Sequence, residues 1–149
     1  MELKSRHIGL WNYARSFFLA ANKLRGTEEM LSDVPIYYLY GHAIELALKS
    51  FLLYQGYDEK DIRKIGHDLK DAWTKATDKS LDKPLANTTE ISQVIELINP
   101  YYRHKELEYI VTGGKRYPYI SEMHNVAEKI ICAVGKSIDI PKSQLNKYF

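Results

Sequence analysis

The chain has 149 residues, of which 45% are hydrophobic and 27% charged, and these proportions are typical of one soluble domain with a continuous core. The formal net charge of +2 is spread evenly over the two halves of the chain, so neither half is a basic arm. The single cysteine, Cys132, excludes an internal disulfide and a thiolate zinc site, and it is typical of a cytoplasmic protein. Residues 1–6 lack the apolar core of a signal peptide, and charges interrupt the longest apolar run, so we expect no membrane span.

The first two predicted helices are the longest stretches of regular hydrophobic spacing near the N-terminus. Apolar residues recur at helical intervals over about 8–25, and Gly26 is a stop signal. A second helix is predicted over about 33–55, ending at Gly56. This second helix is apolar almost all round, which predicts a position at the centre of a helical bundle.

Four further helices are predicted, at about 58–62, 68–79, 87–99 and 119–136. The third of these starts with Asn87 followed by Glu90, which resembles a capping box, and we expect Pro100 to weaken or end it. A short strand at 109–112 would lack a partner. The sequence therefore predicts an all-α, up-and-down bundle of about five or six helices over residues 1–137, with a polar C-terminal tail over 138–149.

The central predicted helix carries His42, Glu45 and Lys49 on one stripe of an otherwise apolar surface. Glu45 precedes Lys49 by four residues, which is the favourable order for an ion pair within a helix. Three interpretations of this interior polar stripe remain open at this point. It is a ligand site, a dimer seam, or only an ion pair.

A second candidate element follows at Gly66-His67-Asp68-Leu69. In one interpretation Asp68 complements the positive start of the next helix, and His67 helps to cap the turn. Alternatively, His67 turns toward His42 or Glu45 as a proton-transfer pair. The spacing of these residues does not resemble a metal site, and we expect neither a metal ion nor a cofactor.

A third candidate is the segment 101–119, which contains basic residues, tyrosines and a Gly113-Gly114 pair. Cations contact phosphates and tyrosine rings stack on bases, so this composition favours a nucleic-acid or nucleotide site. The ligand-binding residues predicted here are Tyr102, Lys115, Arg116, Tyr117 and, further along the chain, His124. The alternative is a surface loop whose tyrosines cover the edge of the bundle.

Together these elements resemble a HEPN domain. The resemblance rests on Trp11-x-x-Ala14-x-x-Phe17, on the run from His42 to Lys49, and on Gly66-His67-Asp68-Leu69, and it covers about residues 8–136. It implies a helical bundle that pairs into a homodimer. Many such proteins are RNA-cutting toxins or phage-defence proteins, and some pair with a nucleotidyltransferase antitoxin.

The nuclease members of that family carry an Arg followed by a His after a short gap. In this chain Arg103 stands directly before His104, seven residues separate Arg116 from His124, and three separate Arg63 from His67. Our leading hypothesis is therefore a domain that binds RNA or a nucleotide. The alternatives are a metal-independent ribonuclease toxin using Arg103 and His104, and a non-catalytic module that binds a partner protein.

Overall fold

The computed structural model describes residues 3–145, with side chains from Arg6 onward. Its helices are α1 (Leu3–Leu24), α2 (Val34–Tyr54), α3 (Glu59–Ile65), α4 (Leu69–Asp78), α5 (Thr88–Arg103), α6 (Ile120–Ser137) and α7 (Lys142–Leu145). The predicted all-α fold is confirmed, and seven helices are described where five or six were expected. Residues 109–112 lie in a loop, and the described part of the chain contains no strand.

The central position of α2 is the main feature of the packing. Most of its residues are buried, and it contacts α1, α6 and α4 more extensively than any other helix does. This arrangement follows from its sequence, because a helix that is apolar all round is stable in water only when neighbours cover every face. Within residues 3–145 no helix combines the length and hydrophobicity needed to cross a bilayer.

The helix ends differ in how closely they follow local sequence signals. Asp58 and Asp61 form a capping box at the start of α3. The box predicted at Asn87 is wrong, since the Asn87 backbone is left-handed (φ 59°) and its side chain makes no cap bond. Instead its amide Nδ2 donates to Oε2 of Glu90 at 2.9 Å.

Helix α5 continues past Pro100 to Arg103, further than predicted. Proline lacks an N–H and removes one hydrogen bond of the helix, but here it lies in the last turn, where little helix remains to be disturbed. The turn beyond it buries Tyr102, which is only 4% exposed. Burial of this large ring favours continuing the helix.

Two tryptophans hold different pairs of helices together. Trp11 on α1 is fully buried, and its indole N–H donates to the Ile131 carbonyl of α6 at 2.9 Å. Trp73 on α4 donates to the Ser92 hydroxyl of α5 at 3.0 Å. One ring therefore reports on the α1–α6 contact and the other on the α4–α5 contact.

The predicted C-terminal tail begins by packing on the bundle. Ile138 and Ile140 are 0% and 7% exposed and belong to the hydrophobic core. Leu145 of α7 lies against the same core. Residues 146–149, the rest of the predicted tail, lie outside the described residues.

Candidate functional site

The carboxylate of Glu45 is the centre of a buried polar group that we call the Glu45 cluster (His42, Glu45, Lys49, His67 and Tyr102). Lys49 Nζ donates to Glu45 Oε2 at 2.8 Å, which forms the ion pair expected from the helical spacing. The opposite oxygen, Oε1, receives His67 Nδ1 at 2.8 Å and the Tyr102 hydroxyl at 2.7 Å. The stripe of α2 therefore faces inward and bonds the α3–α4 junction and α5.

The number of donors in this cluster fixes the direction of each hydrogen bond. Tyr102 has one hydroxyl hydrogen. Because the ionised carboxylate of Glu45 can only accept, Tyr102 uses this hydrogen to donate to Glu45. Its oxygen is therefore left to accept from His42, whose Nδ1 lies 3.0 Å away. The network assigns a hydrogen to Nδ1 of His42, and the same reasoning assigns one to Nδ1 of His67.

The charges in the cluster follow from burial and from its neighbours. The Glu45 side chain is only 4% exposed, and desolvation alone would raise its pKa. The charge of Lys49 and the hydrogen bonds from Lys49, His67 and Tyr102 outweigh this effect, so the pKa of Glu45 lies below its usual value. Desolvation, reinforced by the charge of Glu45, raises the pKa of Tyr102, which remains a neutral donor.

His42 is enclosed by aromatic rings and stays neutral at ordinary pH. Its ring lies edge-on to Phe17 with centroids 4.5 Å apart and stacks on Tyr38 at 5.7 Å. Desolvation lowers the pKa of His42, and the nearby Glu45 charge only partly offsets that effect. This histidine therefore serves as a fixed hydrogen-bond donor inside the fold.

Gly41 lets the Tyr102 ring approach α2 closely enough to complete the cluster. A Cβ at position 41 would stand 2.7 Å from Cδ2 of Tyr102 and 3.0 Å from Cε2. No side chain fits in that space unless the ring shifts. Nothing in the local sequence indicates this requirement, because the two residues are far apart in the chain.

Asp68 joins the start of α4 to the end of α5. Its side chain caps α4 by accepting from the Asp71 N–H at 3.0 Å, and it also accepts from Nδ2 of Asn99. Asn99, which is buried, returns a bond by accepting the Leu69 N–H at 2.8 Å. The second oxygen of Asp68 lies 3.4 Å from Nη1 of Arg103, so Arg103 is placed next to the His67-Asp68 turn.

The two ends of the predicted ligand segment fold onto each other. The Tyr101 hydroxyl accepts the Arg116 N–H at 2.8 Å, and the Tyr101 ring lies edge-on to Tyr117 with centroids 4.8 Å apart. Lys115 pairs with Glu106 at 3.1 Å. The basic residues after α5 and before α6 are thereby collected at one end of the bundle.

The members of this segment differ in how much of the side chain is available. His104, Lys105 and Arg116 are exposed, and within residues 3–145 none of their side chains has a hydrogen bond or ion pair. We call these three residues and Arg103 the cationic surface. Tyr102, predicted as a ligand contact, lies in the interior instead, where its hydroxyl donates a hydrogen bond to Glu45.

His124 belongs to a different contact group from the cationic surface. Its Nδ1 lies 2.9 Å from Oδ1 of Asn22 and 3.1 Å from the Tyr40 hydroxyl, and its Nε2 lies 3.1 Å from Glu128. The structure therefore does not bring His124 into contact with Arg103, His104 or Arg116. His124 on α6 therefore has a structural role, since its contacts join α6 to α1 and α2.

A cleft of about 190 Å³ opens beside Lys49 between α1, α2 and α3. Its charged side chains are paired with each other, since Arg6 and Arg63 both pair with Glu59 and Lys49 pairs with Glu45, although three cations and two carboxylates leave the lining with one excess positive charge. In the described residues no group of three His, Cys, Asp or Glu side chains is arranged to hold a metal. Cys132 is half-buried, and burial raises the pKa of its thiol.

No family model, curated protein or solved structure matches this chain. The function is therefore argued from the geometry of the Glu45 cluster and the cationic surface. Sequence reasoning found most of these residues from their spacing and chemistry. It missed Gly41 and Asn99, which act through residues distant in the sequence, and no local pattern marks either of them.

Proposed function

We propose that this chain is a HEPN-like module that binds RNA through the cationic surface. The observation that supports the proposal best is that residues 101–105 and 115–117 fold together, so that cations from both stretches lie at one end of the bundle. His104, Lys105 and Arg116 are exposed and, among the described residues, lack an internal partner. The unpaired charges of Lys105 and Arg116 attract the phosphates of a nucleic acid.

Two exposed tyrosines in the segment between α5 and α6 also support RNA binding. Tyr109 and Tyr119 are 66% and 78% exposed. Flat, exposed rings beside basic side chains can stack on unpaired bases, an interaction that tolerates any base. Tyr101 and Tyr117 pack on each other and Tyr117 packs on Tyr37, so they serve instead to shape the loop.

The test is the fluorescence anisotropy of a labelled, short single-stranded RNA titrated with protein at low and moderate salt. We expect salt-sensitive binding at micromolar protein. The double variant Lys105→Ala/Arg116→Ala should bind more weakly. It should also flatten the plot of log affinity against log salt by about 0.7 for each phosphate that the variant no longer neutralises.

The matched control is Lys79→Ala/Lys83→Ala. It removes two exposed cations from the loop before α5, at the opposite end of that 16-residue helix. This control should bind RNA like the wild type. Competition with an unlabelled mononucleotide distinguishes an RNA site from a nucleotide site, and an absence of salt-sensitive binding by the wild type would contradict the proposal.

The alternative functions have weaker structural support. A protein-docking seam along the α2 stripe is disfavoured, because Glu45 is 3% exposed and the same chain satisfies its carboxylate. A catalytic Arg103–His104 pair is disfavoured by the surroundings of His104. In the described residues, His104 has no group that would orient its ring.

The same resemblance supports a homodimer in a cytoplasmic toxin–antitoxin or phage-defence setting, with a nucleotidyltransferase-type antitoxin as partner. The single free cysteine is consistent with a reducing compartment. Light scattering of the purified chain tests the dimer directly. A monomeric mass at the concentrations at which RNA binds would remove that part of the proposal.

A further inference from the structure

We infer that the cleft between α1, α2 and α3 is a binding site for a small aliphatic monocarboxylate. The residues that line this cleft include none of the four residues of the cationic surface, so the inference does not depend on RNA binding. Three features of the lining support it: apolar walls, one excess positive charge, and unused hydrogen-bond donors on Lys49.

The apolar walls of the cleft come from all three helices. They consist of Leu10 on α1, Leu46 and Leu53 on α2, and Ile62 on α3. Side chains of this kind around a narrow space bind an aliphatic chain by removing its surface from water. An apolar cavity of about 150 Å³ is large enough to hold a benzene ring. The cleft, at about 190 Å³, therefore admits an aliphatic chain of similar size.

The excess positive charge determines the charge of the ligand. Lys49 and Glu45 form a one-to-one pair, whereas Arg6 and Arg63 share the single carboxylate of Glu59. One negative charge on a ligand neutralises this excess, which matches a carboxylate better than a phosphate monoester, whose charge at neutral pH is about −1.5 to −2. An amine is disfavoured, because both carboxylates of the lining are already paired.

Lys49 has hydrogen-bond donors that its neighbours do not use. Its side chain is only 12% exposed, and its ammonium group carries three N–H donors. One of them donates to Oε2 of Glu45 at 2.8 Å. Among the side chains that the structure describes, no other acceptor is bonded to Nζ. Because groups with so little exposure are normally satisfied by hydrogen bonds, the remaining donors suit the oxygens of a carboxylate in the cleft.

These features define how the ligand binds. Its carboxylate accepts from Lys49 and from a guanidinium of the Arg6–Glu59–Arg63 group, and its chain lies against the apolar walls. The Arg63 side chain is 79% exposed, so it can turn toward a ligand without disturbing the core. A more open depression of about 470 Å³ shares Glu59 and Arg63 with the cleft and provides a path of entry from solvent.

The experiment titrates the full, ¹⁵N-labelled chain with sodium hexanoate at neutral pH and follows the amide signals by NMR. We expect saturable shifts at millimolar hexanoate, centred on Leu46, Lys49, Ile62 and Arg63. Affinity should increase from acetate to butyrate to hexanoate by up to about fourfold for each methylene that is buried. Hexan-1-ol, which has the chain but no charge, should bind more weakly than hexanoate.

Two substitutions at the edge of the cleft should change hexanoate affinity in opposite directions. Arg63→Ala removes the excess positive charge and should weaken binding by about two- to fivefold, as expected for a partly exposed charge pair. Glu59→Gln increases the excess and should strengthen binding by a similar factor. Lys64→Ala is the matched control, since it changes the net charge as Arg63→Ala does but lies outside the lining. These side chains are partly or fully exposed, so the variants should fold.

Several results would overturn the inference. An absence of saturable hexanoate binding by the wild type would do so. Shifts confined to the separate depression beside Leu85, Lys129, Cys132 and Lys136 would place hexanoate at a different site. Equal affinity for hexanoate and hexan-1-ol, or equal effects of Arg63→Ala and Lys64→Ala, would show that the cleft does not recognise the charge. RNA binding at the cationic surface would stand under each of these results.

Discussion

Glu45 shows at the scale of single residues how a charge is kept inside an apolar helix. Its carboxylate receives three hydrogen bonds, one of them from the ammonium of Lys49. A buried ion pair of this kind adds little net stability compared with apolar packing, but removing one partner is strongly destabilising. The cluster therefore fixes the positions of His67 and Tyr102 against α2 more than it adds net stability to the bundle.

His42 predicts a measurable pH dependence of folding. Burial lowers its folded pKa from the ordinary value of 6.5. Below pH 6.5 the unfolded chain therefore takes up the proton first, and acidification favours unfolding. The stabilisation from neutral His42 is complete above pH 6.5 and is lost as the pH falls toward its folded pKa, at most about 1.4 kcal/mol per pH unit for one proton.

Urea unfolding of wild type and His42→Asn between about pH 7.5 and 5 measures this effect. The variant should lose less stability on acidification than the wild type, whereas His104→Asn, at an exposed position, should behave like the wild type. Glu45 does not interfere in this range, since its pKa lies below 4.5 and its stabilisation is lost only at lower pH. Equal pH slopes for wild type and His42→Asn would contradict the assignment.

Sequence spacing predicted the polar stripe but not the partners that complete it. The helical period places His42, Glu45 and Lys49 on one line. No local sequence pattern indicated that Tyr102 would be buried and donate to Glu45, since that contact depends on how α5 packs against α2. The membership of the cluster depends on contacts between helices that are distant in the sequence, and such contacts cannot be inferred from local residue patterns.

The elements illustrate the same limit at their ends. Capping at Asp58 and Asp68 follows local chemistry and was predictable at both helix starts. Asn87 and Pro100 departed from local expectation. Asn87 adopts a left-handed backbone, and the turn after Pro100 is stabilised by tertiary burial of Tyr102.

The joint between α4 and α5 predicts the effect of Asp68→Ala. The substitution removes the cap of α4 and leaves the Nδ2 group of buried Asn99 without that acceptor. We expect the free energy of unfolding to fall by about 1–3 kcal/mol, measured by urea unfolding. Asp78→Ala is the control at the other end of α4, where a carboxylate faces the negative end of the helix.

That control should leave stability unchanged or raise it slightly. A decrease from Asp68→Ala no larger than that from Asp78→Ala would show that the joint contributes nothing. The outcome also bears on His67, because Asp68 fixes the turn that carries its ring.

At the scale of the whole molecule, the extent of the bundle beyond residue 137 is open to test. Ile138 and Ile140 are buried in the core. A chain ending at Ser137 should lose about 4 kcal/mol or more of unfolding free energy, since each buried isoleucine contributes about 2–5 kcal/mol when truncated. Thermal and urea unfolding by circular dichroism measure the loss.

Two substitutions separate the effect of packing from that of the shortened chain. Ile138→Ala/Ile140→Ala should reproduce most of the decrease, whereas Ile110→Ala, at a fully exposed position, should change stability by less than about 0.5 kcal/mol. An unaltered melting temperature in the shortened chain would place the domain boundary at 137, as the sequence predicts.

The placement of the two tryptophans gives this bundle built-in optical reporters. Trp11 senses the interface of the first and sixth helices, and Trp73 senses that of the fourth and fifth. Replacing one indole at a time with phenylalanine would leave a single emitter at a known interface. Comparing the two emission curves during denaturation would reveal whether the half bearing His67 opens before the rest, in a protein that needs no attached dye.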